Sequence, residues 1–276
     1  MLKRCSIVAL AMAAFAVACA RAQAPQIGQL SMEFPATVHL APIVTGQPYS
    51  AQEISEHTQT LADGTHITQA PRTTQIYRDS DGRTRTERPM QLSRNGPMPV
   101  QIEISDPVSG YLYRLDPANH IAHRTKFTGP PASLRAAVAN WFLGLSTKGP
   151  TTVTSTDSRG YVVTRVTLDP QTIEGLLCQG GRITTVIPVG AEGNDAPITT
   201  VSEVWFSQQI SRAVLTKSSD PRTGESTVSL KNFALGDPDP TLFQPPAGYE
   251  VVDETGPYQI RYTLPAQQSA PAAKQP

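Results

Sequence analysis

The sequence predicts a mainly β protein built from antiparallel strands. Segments rich in alternating and β-branched residues are joined by Gly, Pro, Asn and Asp turn signals along most of the chain. Its 276 residues include 19 Gly and 25 Pro, and hydrophobic residues make up 39% of the chain. This composition is typical of a folded core with many turns. The net charge is zero and no Lys/Arg-rich run is present, so we expect no nucleic-acid partner.

The N-terminus predicts an export signal over residues 1–24. Lys3 and Arg4 form a short positive region, and the apolar run from Ile7 to Ala18 follows it. Small residues come next, as signal cleavage sites require. The apolar run is short for a membrane span. We therefore expect an exported protein, in the periplasm or outside the cell.

The cleavage site has three alternatives. Small residues allow a cut after Ala20 or after Ala24, and Pro25 disfavours the second. Cys19 follows three small or apolar residues, which allows a lipidated N-terminus instead. In that case the chain would be anchored in the outer membrane through Cys19.

Residues 25–48 are predicted to be an extended lead-in, because Pro and Gly are scattered through them. Regular structure is then expected to begin at a hairpin, in which Asp63-Gly64 joins Tyr49–Leu61 to Thr65–Thr74. Three further turns predict a meander of about six strands; these are Asp79–Gly82, Asp106–Gly110 and Asp116–Asn119.

The segment Arg83–Arg88 alternates Arg and Glu with Thr. It predicts a solvent-facing strand with cross-strand ion pairs. An anion-binding strip is the alternative.

One stretch, about 132–145, has the period of an amphipathic helix. Ser133 can cap it and Gly149-Pro150 ends it. Its apolar face consists of Leu134, Val138, Trp141, Phe142 and Leu145. In a β protein this helix must cover something apolar, either as a plug on a sheet or as a mobile lid over a ligand cavity.

The second half predicts further strands, and a tail over 265–276 is expected to be disordered. The strands are Tyr161–Leu168, Ile173–Cys178, Arg182–Val186, Ile198–Phe206, Arg212–Ser218 and Glu225–Leu235. Leu242-Phe243 is predicted to anchor the C-terminal segment between stiffening prolines. Residues 49–264 are then a single β-rich domain.

Cys178 is expected to be a buried structural thiol. The other two cysteines lie in the export signal, so the mature chain cannot form an internal disulfide. If Gly180-Gly181 is a two-residue hairpin turn, Cys178 faces Ile183 on an apolar side.

No catalytic pattern is present. The sequence has no nucleophile elbow, phosphate-binding glycine loop or zincin pair. His120 and His123 are spaced to point to opposite faces of a strand. The residues of Asp79–Gly82 are explained by a turn. The longer segment Gly190–Pro197 is either a recognition loop or a sheet-edge connection. We expect no enzyme activity, no metal and no cofactor.

The C-terminal third resembles a known superfamily. Glu203–Ser207 carries a Trp on a strand, two strands follow, and Leu242-Phe243 opens a closing segment that ends Pro246-Ala247-Gly248-Tyr249. These features resemble the outer-membrane lipoprotein carrier and sorting (LolA/LolB-like) superfamily. The whole chain is similar to uncharacterised exported proteins of soil acidobacteria, at Thr172–Gly175, Ile187–Gly190 and Gly193–Ile198.

The resemblance implies an antiparallel unclosed β-barrel, or half-barrel, of about ten or eleven strands with one covering helix and an apolar cavity. The expected function is non-catalytic binding of a lipid-like ligand, such as a lipid or a lipoprotein acyl chain, by a monomer. The alternative is a structural or protein-interaction module of the envelope with a self-filled core, whose partner would be another envelope protein. Candidate ligand-binding residues are Leu134, Val138, Trp141, Phe142, Leu145 and Trp205.

Overall fold

A computed structural model of the chain describes residues 29–90, 99–129 and 151–264. These residues form 17 strands and one 3-10 helix, so the mainly β prediction is confirmed. The predicted count of ten or eleven strands is wrong, because short segments also pair. The predicted signal at 1–24, the helix at about 132–145 and the tail at 265–276 lie outside the described residues. None of the described segments is a helix long and apolar enough to cross a membrane.

The first nine strands precede residue 130 and the other eight follow residue 150. The first nine are β1 (Gln29–Phe34), β2 (Val38–His39), β3 (Tyr49–Thr60), β4 (His66–Thr68), β5 (Arg72–Arg78), β6 (Thr84–Pro89), β7 (Val100–Asp106), β8 (Tyr111–Asp116) and β9 (Ile121–Thr128). The others are β10 (Thr152–Thr156), β11 (Val162–Ile173), β12 (Leu176–Ile187), β13 (Ile198–Ser207), β14 (Arg212–Asp220), β15 (Gly224–Leu235), β16 (Glu250–Asp253) and β17 (Tyr258–Thr263). The 3-10 helix is Pro240–Phe243.

Fifteen strands form one sheet that does not close. Its path runs β10-β11-β12-β13-β14-β15-β3-β5-β6-β7-β8-β9-β16, and β2 and β4 join it beside β9 and β3. The pairing of β15 with β3 is antiparallel and connects the two halves of the chain. The terminal strands β10 and β16 do not pair with each other, which confirms an unclosed sheet.

Regular structure begins before the hairpin at which the sequence predicts it, with β1. This strand pairs antiparallel with β17 as a separate two-stranded sheet. Phe34 is buried with Tyr258, Ile260 and Tyr262 of β17, and Leu30 and Met32 pack against them. The alternation of apolar residues in β1, rather than its flanking prolines, decides its structure.

Strand β8 is buried on both faces. On one face Tyr113 belongs to a cluster with Ile104 and Phe243, so the 3-10 helix covers this side. On the other face the Arg114 guanidinium lies over Phe34 of β1, and its Nη1 donates to the Tyr258 hydroxyl of β17 at 3.1 Å. The small sheet and the C-terminal segment therefore enclose this half of the large sheet from opposite sides. The predicted burial of Phe243 is confirmed at 1% exposure.

The predicted turn at Gly180-Gly181 is wrong. Strand β12 runs unbroken through both glycines, and the two-residue turn lies at Glu174-Gly175, where φ is 49° and 79°. Positive φ at both positions is characteristic of the type I′ turn, one of the two turns that two-residue hairpins favour. Glycine at 180 has a packing role instead, which involves Trp205.

The corrected register changes the neighbour of Cys178. It pairs with Gln171 on β11, not with Ile183. The thiol is nevertheless fully buried and free, as expected from the sequence. Burial raises the pKa of Cys178, which keeps it in the unreactive thiol form.

Candidate functional site

Trp205 is the one candidate ligand-binding residue in the described part of the chain. It lies on β13 opposite Gly180 and is 7% exposed, within a core cluster that includes Leu176 and Cys178. Its Nε1 donates a hydrogen bond to Glu203 Oε1 at 2.8 Å. Trp205 therefore packs in the core and lines none of the three cavities described below. The other five candidates lie outside the described residues.

Glu203 connects this tryptophan to the surface. Its second oxygen, Oε2, accepts from Arg182 Nη2 at 2.8 Å and Nε at 3.0 Å across the strand pair. Burial raises the pKa of Glu203, but the hydrogen bonds from Trp205 and Arg182 and the positive charge of Lys217 outweigh it, so that the net pKa is lowered. Glu203 is therefore held as a carboxylate.

A wide groove crosses β12 to β15 above this carboxylate. Its volume is about 510 Å³, and its walls are Arg182, Glu203, Lys217 and Glu225 with Ser and Thr between them. Val201 is its one apolar residue. Four charged side chains line the groove, and an acyl chain buried there would displace their water.

A smaller cleft of about 180 Å³ has an apolar lining. Its walls include Ala213, Val214, Val228 and Leu230, and Thr216 contributes at one side. Val214 and Leu230 are 1% and 2% exposed, so they belong to the core as well as to the cleft.

An ion pair lies in the same cleft. Arg212 Nη2 is 2.7 Å from Glu53 Oε2, and both side chains are partly exposed. Burial lowers the pKa of Arg212, but Tyr49 and Glu53 more than offset this, so that its pKa is raised. The cleft thus combines an apolar floor with a permanently charged guanidinium.

A second guanidinium lies behind the first. Arg78 is 6% exposed, stacks over Tyr49 at 4.7 Å, and donates to the carbonyl oxygens of Gln47 and Ile210. It has no carboxylate partner among the described residues. Burial lowers its pKa, and repulsion from Arg212 lowers it further. Two guanidiniums and one carboxylate leave this region with a surplus of positive charge.

The loop Gly190–Pro197 is bound to the end of the sheet by a charged network. Glu192 accepts from the Tyr161 hydroxyl at 2.7 Å and from Arg222. Arg222 also pairs with Asp220 at 2.7 Å. The Asn194 side chain bonds backbone groups of Glu192 and Ala196 in the loop and of Pro188 just before it, as the sheet-edge interpretation expects. A cavity of about 340 Å³ between these groups is lined mainly by polar side chains.

The strand Arg83–Arg88 is not uniformly solvent-facing, so that part of the prediction is corrected. Arg85 is 8% exposed and donates to Glu87 Oε1 at 2.7 Å and to the Leu242 carbonyl at 3.1 Å. The C-terminal segment, distant in sequence, covers it. Arg83 and Arg85 each pair with a carboxylate, Asp79 and Glu87 respectively. Neither guanidinium is therefore left unpaired to bind an anion.

The two histidines of β9 and its preceding turn have separate surroundings. The His120 ring stacks on Tyr249, whereas His123 contacts Glu254 at 2.6 Å and stacks on Tyr258. Within residues 29–90, 99–129 and 151–264 no three His, Cys, Asp or Glu side chains are grouped as a metal site.

No protein-family model and no curated protein matches this chain. Among solved structures, the chain is similar to the MucA/MucB complex of Pseudomonas aeruginosa at 10% identity and a TM-score of 0.37, covering 74% of this chain and 58% of that one. A β-barrel-like protein of unknown function from Brucella abortus gives 10% identity and a TM-score of 0.31, covering 72% and 100%. A domain described as a putative outer membrane lipoprotein-sorting protein from Vibrio parahaemolyticus gives 10% identity and a TM-score of 0.22. That match covers 71% of this chain and 90% of the other.

Proposed function

We propose that this chain is an exported, non-catalytic binding protein of the cell envelope for an anionic amphipathic ligand. The observation that supports this most directly is the cleft on β14 and β15. Its floor is apolar, at Val214, Val228 and Leu230, and the Arg212–Glu53 ion pair lies in it. Pockets of this kind bury an apolar group and orient it through a few polar contacts.

The charges favour an anionic head group. Arg78 and Arg212 carry two positive charges, and Glu53 neutralises one of them. A carboxylate or phosphate near Arg212 would offset the remaining charge, and a guanidinium can donate two parallel hydrogen bonds to either group. A cationic ligand would instead add to the repulsion between the two arginines.

The volume limits what enters. The cleft has a volume of about 180 Å³, below the roughly 300–1,000 Å³ of pockets that enclose a drug-sized ligand. A short apolar group, or the end segment of a longer chain beside the head group, matches this size. The cleft as described does not enclose a whole lipid.

Binding without catalysis fits the groups present. Arg212 and Glu53 are engaged with each other, and the remaining cleft residues are Ala, Val, Leu and Thr. Acyl or phosphoryl chemistry needs a nucleophile beside a base, and the cleft lining contains no such pair.

A second candidate function is a structural or interaction module. The packing of Trp205 against Gly180 favours it, because this part of the core is filled by the protein's own side chains. The polar groove lined by Arg182 and Lys217 would then face another envelope protein.

A fluorescent fatty-acid probe separates the two candidates. We expect saturable binding to the unaltered protein and its loss in Val228→Phe, which fills the cleft. Val201→Phe, which adds the same ring to the polar groove, is the matched control and should still bind. Arg212→Gln should weaken binding of the fatty acid but not of the fatty alcohol of the same length. Failure of the unaltered protein to bind any amphipathic probe would support the interaction module.

A further inference from the structure

Strand β10 is an edge of the large sheet within the described residues. It pairs with β11 on one side, and no described strand lies on its other side. All five residues, Thr-Val-Thr-Ser-Thr, are exposed. Longer edge strands are commonly blocked by a charge, a proline or a bulge, and the five residues of β10 include none of these. The opposite edge strand, β16, carries exposed Glu250 and Asp253.

The backbone orientation of β10 follows from its hydrogen bonds to β11. Thr167 N donates to the Thr151 carbonyl, and Asp157 N donates to the Tyr161 carbonyl, both at 2.9 Å. Odd-numbered residues of β10 therefore direct their backbone groups toward β11, since the direction alternates along an antiparallel strand. The N–H and C=O groups of Thr152, Thr154 and Thr156 point away from the sheet.

These three residues can pair with their own copies. Two antiparallel β10 strands with a twofold axis at Thr154 place Thr154 opposite Thr154, and Thr152 opposite Thr156 of the other copy. The outward backbone groups of all three then form hydrogen bonds in both directions. Val153 lies opposite Ser155 of the other copy, so no charge opposes a like charge.

The side chains on the existing partner strand show that threonine pairs suit this edge. Thr154 Oγ1 is 3.1 Å from Thr164 Oγ1 of β11. A second β10 would place a threonine on the outer side of Thr154 as well, and would continue the same pattern of the sheet.

We propose that β10 is a self-association edge, at which two copies of this chain join their large sheets antiparallel with Thr154 on the twofold axis. This interface is isologous, because the same strand serves both copies. It departs from the monomer expected from the sequence. With one short strand from each copy, the dimer should be weak and dependent on concentration.

Cysteine crosslinking tests the register. The full chain with Cys5 and Cys19 changed to Ser retains only the buried Cys178 as a native thiol. In this background Thr154→Cys should form a disulfide dimer on mild oxidation, because facing Cα atoms in such a pair are about 5.5 Å apart. Ser155→Cys is the control and should not, because residue 155 lies diagonal to its own copy, beyond the reach of a disulfide.

Sedimentation velocity provides the second measurement. The unaltered chain should show a sedimentation coefficient that rises with concentration, and Thr154→Pro should remain a monomer, because its N–H makes no bond to β11. A lysine pair provides the matched control. Thr154→Lys should abolish the dimer, whereas Thr199→Lys, on the interior strand β13, should leave it intact. Proline is not used at position 199, because it would disrupt an interior strand. Equal crosslinking of both cysteine variants, or none from Thr154→Cys, would overturn the proposal.

Discussion

The six-membered ring of Trp205 lies directly over Gly180, on the neighbouring strand. A Cβ atom added to Gly180 would be 2.5 Å from Cζ3 of the ring and 2.7 Å from both Cε3 and Cη2. The absence of a side chain at position 180 is therefore what allows the indole to reach the core and donate to Glu203.

Gly180→Ala should destabilise the fold by about 1–3 kcal/mol, because the added methyl group forces the indole to move in a packed core. Urea unfolding followed by circular dichroism measures this. Gly256→Ala is the matched control, since no atom lies within 4 Å of a Cβ added there. Equal stability of the two variants would show that Trp205 does not pack on Gly180.

Glu203→Gln should remove part of the acid sensitivity of the protein. The fold lowers the pKa of Glu203 below the ordinary value of a glutamate, 4.5, because Trp205 and Arg182 hydrogen-bond to its carboxylate. A carboxylate whose pKa is lower in the folded state stabilises the fold at every pH above its pKa in the unfolded chain. This stabilisation is lost as the pH falls through its pKa in the folded state. We expect the unaltered protein to lose stability below about pH 4.5 and the variant to lose less over that window. Urea midpoints at several pH values test this, and parallel curves for both proteins would contradict it.

Phe243→Ala should lower the free energy of unfolding by about 3–5 kcal/mol, because the ring is fully buried between Ile104 and Tyr113. Leu235→Ala, at a site that is 57% exposed, should change it by less than about 0.5 kcal/mol. Thermal melting compares the two. An unchanged melting curve for Phe243→Ala would mean that the C-terminal segment does not dock on the sheet.

Tyr262→Phe should be neutral or stabilising at neutral pH, by up to about 1 kcal/mol. The Tyr262 hydroxyl is buried and has no hydrogen-bond partner among the described residues. Burial, together with the charges of Asp116 and Glu103, raises its pKa to about 12.

The raised pKa adds an alkaline test of the same variant. The unfolded phenol ionises near 10, so the unaltered protein should lose stability between about pH 10 and 12, and Tyr262→Phe should lose less. Tyr258→Phe is the contrast at neutral pH, because its hydroxyl accepts from Arg114, and it should destabilise by about 1–3 kcal/mol. A destabilised Tyr262→Phe would show that the hydroxyl has a partner.

Local chemistry made several elements predictable. Asp63-Gly64 and Asp79–Gly82 both form the turns that their residues indicate, with positive φ at Gly64 and Gly82. The pair Gly180-Gly181 was wrongly predicted to be a turn, because glycine also occurs where a neighbouring side chain needs the space. Here that side chain is Trp205. Only the pairing of β12 with β13 reveals that use.

The cleft itself was not predictable from the sequence. Arg212 and Glu53 are 159 residues apart and meet because β15 pairs with β3. No local pattern marks either residue. The burial of Arg85 was missed for the same reason, because its acceptor Leu242 is 157 positions away.

The most direct test of the proposed function is mass spectrometry of lipids extracted from the protein purified from its native envelope. We expect an anionic amphiphile to copurify in stoichiometric amount with the unaltered chain and with Val201→Phe, and to be depleted from Val228→Phe. If the unaltered chain carries no lipid, or if Val228→Phe retains the same amount of it, the cleft between β14 and β15 is not a ligand site.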